Sequence, residues 1–255
     1  MTDINKPEFI SPELFSEFTY SKKHHFSLFE KYKLDDILYG KKIDSEYCDL
    51  KVYQDLLVFS FILQNIPHGA KILEIGGAES RILKYFRNEI ECWNLDKLEG
   101  IGNGPTEINS DGFRLISDYI GNFSSELPDN YFDLVFSIST FEHIPIDDES
   151  VFENIREDIE RLLKPDGLSL HCIDHSTDLL LGTVDEVWTN PIIPYFFNKE
   201  KTVNKFIPLI EAELDPVLYY MSEKYYNDKW MSSTGIPFDK FGKPFSYNIL
   251  WKKAS

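Results

Sequence analysis

The sequence predicts an α/β fold: a mostly parallel sheet with helices on both faces and an antiparallel C-terminal edge. Three observations predict it. From residue 71, short apolar runs alternate with helix-patterned segments, the rhythm of parallel strands joined by crossovers. The first of these runs ends in Gly76-Gly77, a turn that follows a buried strand. Two runs near the C-terminus, residues 217–226 and 245–253, read as an antiparallel pair at the sheet edge. A chain of 255 residues suits one large domain with additions.

Each element has its own signal. Residues 1–50 are polar and aromatic with weak periodicity, and are expected as an N-terminal cap of short helices. Residues 51–66 (KVYQDLLVFSFILQNI) have helical length and apolar spacing, and Pro67-His68-Gly69 closes them. Residues 71–76 (KILEIG) read as the first strand, 79–88 as a helix and 91–96 (ECWNLD) as the second strand. A third strand lies within 114–122, and YFDLVFSIST (131–140) is the fourth. The acidic amphipathic helix 149–164 is expected to present a solvated face. After the Pro165-Asp166-Gly167 turn, residues 168–174 (LSLHCID) give the fifth strand. Residues 176–215 break the rhythm with Trp188, Pro191, Pro194, Tyr195, Phe196 and Phe197, and are expected as a lid with a helix at 199–212. With the C-terminal pair the sheet counts seven strands, within a domain spanning 51–255.

Charge and cysteine content restrict function. With 43 acidic and 26 basic residues, the net charge is −17. No cluster of Lys and Arg is present to follow a phosphate backbone, so no nucleic-acid partner is expected. The same charge opposes an anionic membrane surface, and no membrane partner is expected either. Cys48, Cys92 and Cys172 are widely spaced and form no disulfide framework. The first ten residues, MTDINKPEFI, hold no basic stretch followed by an apolar run. A cytoplasmic, reducing location is the expectation.

In an open parallel sheet, ligands bind beyond the carboxyl ends of the strands. Small residues at Gly76 and Gly77 let the backbone approach a ligand closely. Asp96, 22 residues after Glu74, closes the second strand, where a carboxylate can accept two hydrogen bonds from a ribose diol. KILEIGGAES, NLD, LPDNYFDLVFSISTFEHI and RLLKPDG follow in order over about residues 70–175. This series resembles the class I S-adenosylmethionine-dependent methyltransferases, which have a Rossmann-like fold. The resemblance implies S-adenosylmethionine as cofactor. It also implies that Glu74 and Gly76 hold the methionine part and that Asp96 holds the ribose. Asn122 would contact adenine, with the Phe123 backbone beside the ring. Ser137 and Ser139 would bring backbone carbonyls to the amino-acid moiety. Ala78 and Ser80 replace the family's usual glycines and make the loop bulkier. Gly77 shifts the turn toward that of aminopropyltransferases such as spermidine synthase, whose acidic catalytic motif is absent.

Methyl transfer is an in-line displacement on a sulfonium carbon, and a hydroxyl acceptor also needs a base. His143 ends the fourth strand; Asp174 and His175 end the fifth. These three are the candidate catalytic residues. Each has a plainer alternative as a structural or loop residue, and a pairing of His143 with Asp174 fits better than one between sequence neighbours. Some ubiquinone-pathway O-methyltransferases bind a metal through an E-x-x-E-H pattern; here Ser139 takes the first acid's position, and no metal is expected. His24 and His25 are expected at the surface. The acceptor is expected to be a small molecule methylated on oxygen, a sugar or other secondary metabolite. Aminopropyl-type transfer and a non-catalytic binding subunit stand as alternatives.

Overall fold

A computed structural model of the chain describes residues 6–100, 104–144, 149–177 and 192–255. A 3₁₀ turn at Pro12–Phe18 leads into α1 (His25–Lys31), α2 (Leu34–Tyr39) and the long α3 (Leu50–Asn65). Asp49 caps α3 by accepting the Lys51 amide at 3.0 Å. Then come β1 (Lys71–Ile75), α4 (Arg81–Phe86), β2 (Glu91–Leu95), β3 (Arg114–Ile116) and β4 (Phe132–Ile138). α5 (Glu149–Leu162) runs directly into β5 (Leu163–Thr177). α6 (Ile192–Lys199), α7 (Leu209–Leu214), a run of short helical turns over 223–234 and β6 (Lys243–Lys252) complete the order.

Among the described residues the sheet has six strands, in the order β3-β2-β1-β4-β5-β6. All neighbours are parallel except β5 and β6, which are antiparallel from Leu168↔Lys252 to Thr177↔Lys243. A seventh strand is not found among the described residues. Residues 217–226 make no strand: the Tyr219 amide donates to the Ser21 carbonyl and the Lys23 amide to the Val217 carbonyl, leaving an isolated bridge between Lys22 and Leu218. Downstream, Ser222 accepts the Tyr225 amide and starts a helical turn. A side-chain cap thus diverts an aromatic, strand-like run.

Two cores flank the sheet. On one face, α3, α4 and the N-terminal helices share a core in which Phe15, Phe18 and Phe29 join Leu57, Phe61 and the β4 residue Phe136. On the other, Phe152, Ile155 and Ile159 of α5 and Phe196 of α6 pack on Val135, Ile173 and Trp251. β5 passes the turn at 164–167 as an irregularity, the pairing jumping from Phe132↔Leu163 to Leu134↔Leu168. The outer edge of β6 is covered: the Ser21 amide donates to the Ser246 carbonyl and the Val203 amide to the Leu250 carbonyl. No helix among the described residues is long and apolar enough to cross a membrane.

Candidate active site

A cavity of about 1430 Å³ opens at the carboxyl ends of the parallel strands. Its walls follow the sheet order. Asp118 and Tyr119 lie beyond β3, Asp96 beyond β2, Gly76–Ala78 beyond β1, Ser139–Phe141 beyond β4, and Asp174 near the end of β5. Asp49 and Lys51 close the wall at the start of α3, while Trp230, Ser233, Thr234 and Ile236 cover it.

The glycine turn is fixed by side chains from three strands. Gly76 has φ +68, and a Cβ there would lie 2.5 Å from Thr140 Cγ2. A Cβ on Gly77 would lie 2.7 Å from Glu74 Cδ. The neighbours that demand glycine are thus the protein's own side chains beneath the turn. Asn94 on β2 accepts the Gly77 amide at 3.1 Å and donates to the Ala78 carbonyl at 2.9 Å. Asp96 Oδ2 accepts the Ala78 amide at 2.9 Å and Oδ1 the Leu98 amide at 2.8 Å. Ala78 holds the left-handed φ of +46 that its family position leaves to glycine. Ser80 accepts the Leu83 amide at 3.1 Å, a cap that glycine cannot supply.

Some expected site residues lie elsewhere. Glu74 is buried under the turn rather than on the cavity wall, its Oε2 without a hydrogen-bond partner among the described residues. Burial raises its carboxyl to about 7, against the pull of Lys51. The Ser137 side chain faces the α5 side and hydrogen-bonds His171 Nδ1 at 2.8 Å. Asn122 reaches the cavity and donates to Asp118 at 2.8 Å, but Phe123 is outside the wall and its amide donates to Asp158. His175 also points away. It is buried edge-on against Phe245, neither ring nitrogen has a hydrogen-bond partner among the described residues, and burial lowers its pKa to about 3. Alternation along β5 explains this: Cys172 joins the α3-side core and Ile173 the opposite one, so Asp174 and His175 separate in the same way.

Asp174 and His143 do face the cavity. Asp174 Oδ1 accepts Gln54 Nε2 at 2.7 Å and Ser139 Oγ at 3.1 Å. Burial, then the charge of Asp49, raises its carboxyl to about 7. Behind it, Glu142 is buried with neither oxygen hydrogen-bonded among the described residues. Its carboxyl is pushed well up by burial and by the charge of Asp174. His143 Nε2 lies 3.9 Å from Glu142 Oε1, and burial lowers the imidazole pKa.

Asn94, Asp158, Gln54 and Lys51 went unread in the sequence. Asp158 lies in the helix expected to be solvated, yet it is fully buried and its Oδ2 accepts the Gly121 and Phe123 amides at 2.9 and 3.2 Å. Asn94 stands in the apolar run of a strand, and Gln54 and Asp158 are turned inward on helices; each must find a partner when buried. Of the expected lid, the described residues 192–215 contribute nothing to the cavity wall, and residues 178–191, with Trp188 and Pro191, lie outside the described residues. His25 is buried, contrary to expectation, with a pKa lowered to about 2 by burial. Glu17, His24 and His25 bring ligand-type atoms within 4.8 Å of one another. Glu17 Oε1, however, is already occupied by Lys22 Nζ at 3.0 Å and His24 Nε2 at 3.1 Å.

Residues 73–170 match the family model described as a methyltransferase domain. No curated protein matches the sequence. Among solved structures, the chain is similar to the YcgJ protein of Bacillus subtilis, with 12% identity over 80% of this chain and 99% of that one, at a TM-score of 0.45. It is also similar to phosphoethanolamine N-methyltransferase 2 of Haemonchus contortus, with 15% identity over 97% of this chain and 61% of that one, at a TM-score of 0.48. A third similar structure is a TehB-like methyltransferase of Corynebacterium glutamicum, with 20% identity over 58% of this chain and 72% of that one, at a TM-score of 0.36. Residues 73–170, which run from β1 through the glycine turn into β5, are thus similar to a methyltransferase domain, and S-adenosylmethionine is the cofactor that this match supports. The cavity fits that group. It places a carboxylate, Asp96, one strand away from an open glycine turn, and an unpartnered carboxyl oxygen, on Glu74, under that turn.

Proposed function

We propose that the protein transfers a methyl group from S-adenosylmethionine to an oxygen of an enclosed small molecule, a sugar or other secondary metabolite. Asp174 carries this reading. It is a carboxyl on the cavity wall whose pKa of about 7 lets it both release and accept a proton near neutrality. Gln54 and Ser139 hold Oδ1, which leaves Oδ2 to take the acceptor's hydroxyl proton. His143, neutral because burial lowers its pKa, stands on the same wall as a second acceptor of protons. When bound, the cofactor supplies the electrophilic methyl on its sulfonium.

Asp96 holds the ribose. A carboxylate offers about four lone-pair sites, and the Ala78 and Leu98 amides use two. Asn122 and Asp118 lie toward the base, and Gly76, Gly77 and Ser139 toward the amino-acid end. The cap of residues 1–50 reaches the acceptor end through Asp49. The cover over 230–236 and the net charge of −17 support a small acceptor rather than a nucleic acid.

The test is formation of S-adenosylhomocysteine against panels of hydroxylated and aminated small molecules. Turnover is expected with hydroxyl acceptors, rising as pH passes about 7, and lost in Asp174→Asn. Turnover confined to amines would overturn the oxygen assignment. Failure to bind either the cofactor or its demethylated product would favour the non-catalytic alternative.

A further inference from the structure

We propose that Lys51 is the counter-ion for the carboxylate of the cofactor's amino-acid end, and that it makes the site prefer the carboxylated cofactor over a decarboxylated one. The proposal rests on the cofactor reading above and extends it to one residue. Three lysines reach the cavity wall: Lys51, Lys97 and Lys229. The sheet order separates their positions. With the ribose at Asp96 beyond β2 and the base toward β3, the amino-acid end extends across β1 toward β4 and β5. Lys97 follows Asp96 and lies over the Tyr119 ring at 6.0 Å, at the nucleoside end. Lys51 lies at the other end, under the influence of Asp55, Glu74 and Asp174.

Its setting is not that of a structural ion pair. Lys51 is in the first turn of the 16-residue α3, where a cation opposes the helix dipole. Its ammonium reaches Asp55 Oδ1 only at 3.7 Å, too long for a hydrogen bond. The other Asp55 oxygen, Oδ2, is held by Arg81 at 2.8 Å and Tyr39 at 2.7 Å, so the Asp55 charge is matched by a cation besides Lys51. The Lys51 side chain stays 44% exposed, so its charge remains available to a ligand. Burial opposes that charge, but Asp55, Glu74 and Asp174 outweigh it and keep the ammonium protonated.

The chemistry of the end group completes the argument. An α-amino acid brings one ammonium and one carboxylate. Asp174 stands on the wall of this part of the cavity, with Glu74 and Glu142 buried behind it, a carboxyl-rich setting that suits an ammonium better than a carboxylate. A carboxylate placed here needs a cation of its own, and Lys51 supplies it.

Equilibrium calorimetry on the full chain tests this with three probes. S-adenosylhomocysteine carries both amino-acid charges, 5′-methylthioadenosine carries neither, and decarboxylated S-adenosylmethionine keeps its cationic groups without the carboxylate. Lys51→Met is expected to weaken S-adenosylhomocysteine by about tenfold to a hundredfold, the range for a charged hydrogen bond. It should leave 5′-methylthioadenosine unchanged and bind the decarboxylated cofactor as well as or better than the parent, since a repelling charge is gone. Lys51→Arg should restore most of the S-adenosylhomocysteine affinity. If Lys51→Met does not fold, Lys51→Gln is read by the same criteria. An equal loss on all three probes, no loss on S-adenosylhomocysteine, or the same switch in Lys229→Met in place of Lys51→Met overturns the assignment. A parent protein that binds none of the three overturns the cofactor reading itself, a separate result.

Discussion

Asp96, proposed to hold the ribose, also holds the loop. Its two oxygens accept the Ala78 and Leu98 amides, so removing the side chain frees two donors as well as the proposed ribose contacts. Asp96→Ala is expected to weaken S-adenosylhomocysteine binding by about 1.5–3 kcal/mol and also to lower the melting temperature. Calorimetry and a melting curve on the same sample check both; unchanged affinity would place the ribose elsewhere. At Gly76 the sequence showed the need for glycine but not its cause. Gly76→Ala puts a Cβ against Thr140 in a backbone with φ +68, so it is expected to cost stability, by about 1–2 kcal/mol for the left-handed conformation alone, before any ligand is added. A denaturant midpoint equal to the parent's would refute this. Asp96, Asn122, Ser139, His143 and Asp174 were legible because strand ends define where a cavity must lie. The Ser137 and His175 side chains face away from the cavity because a strand end fixes position along the sheet, whereas the face depends on alternation.

At the scale of elements, the strands and crossover helices were legible from periodicity, and the coverings were not. The 217–226 run has strand-like composition, but its first residues bridge to 21–23 and a serine cap turns the rest into helix. No local pattern encodes that partner, nearly 200 residues away in sequence. Among the described residues the cover over the cavity comes from 230–236, a segment that aromatic content did not single out. Asp158 shows the opposite case, a signal present but unread. It lies on the apolar stripe of Ile155, Ile159 and Leu162, so its carboxylate is carried inward to the loop after β3. Asp158→Ala strips the acceptor from two loop amides and leaves Arg161, which donates to Asp158 at 2.8 Å, short of a partner. The expected loss is about 1–3 kcal/mol of stability. Weaker cofactor binding should accompany it, because Asn122 belongs to the same loop. A calorimetric titration alongside urea unfolding separates the two effects; a variant as stable as the parent would show that the loop holds itself.

For the whole molecule, the buried titratable groups form two opposed sets. His25, His171 and His175 are buried and neutral, with pKa values lowered to about 2, 3 and 3 by burial. Each lies below its unfolded value of about 6.5, so their contribution is complete above that pH and is lost as pH falls. Glu74 and Asp174 go the other way. Burial raises both to about 7, so their protonated forms favour the folded state at low pH, and that contribution is lost as pH rises through 7. Between about pH 4.5 and 6.5 the slopes oppose each other, because the unfolded chain holds protons on the histidines and the folded chain holds them on the carboxyls. Single variants should expose the two sets separately. Glu74→Gln keeps the shape of the protonated acid. It should match the parent near pH 4 and exceed it by about 2–3 kcal/mol at pH 7, from 1.36 kcal/mol for each pH unit of proton linkage. His175→Phe removes a buried ring that gains a charge on unfolding. Its advantage over the parent should be larger at pH 5 than at pH 7.5. Urea unfolding of parent and both variants across pH 4 to 8 measures these differences. A Glu74→Gln gain that does not grow with pH would mean that Glu74 is ionised and matched by Lys51 in the folded protein, and the carboxyl set would then lose its pH-dependent role.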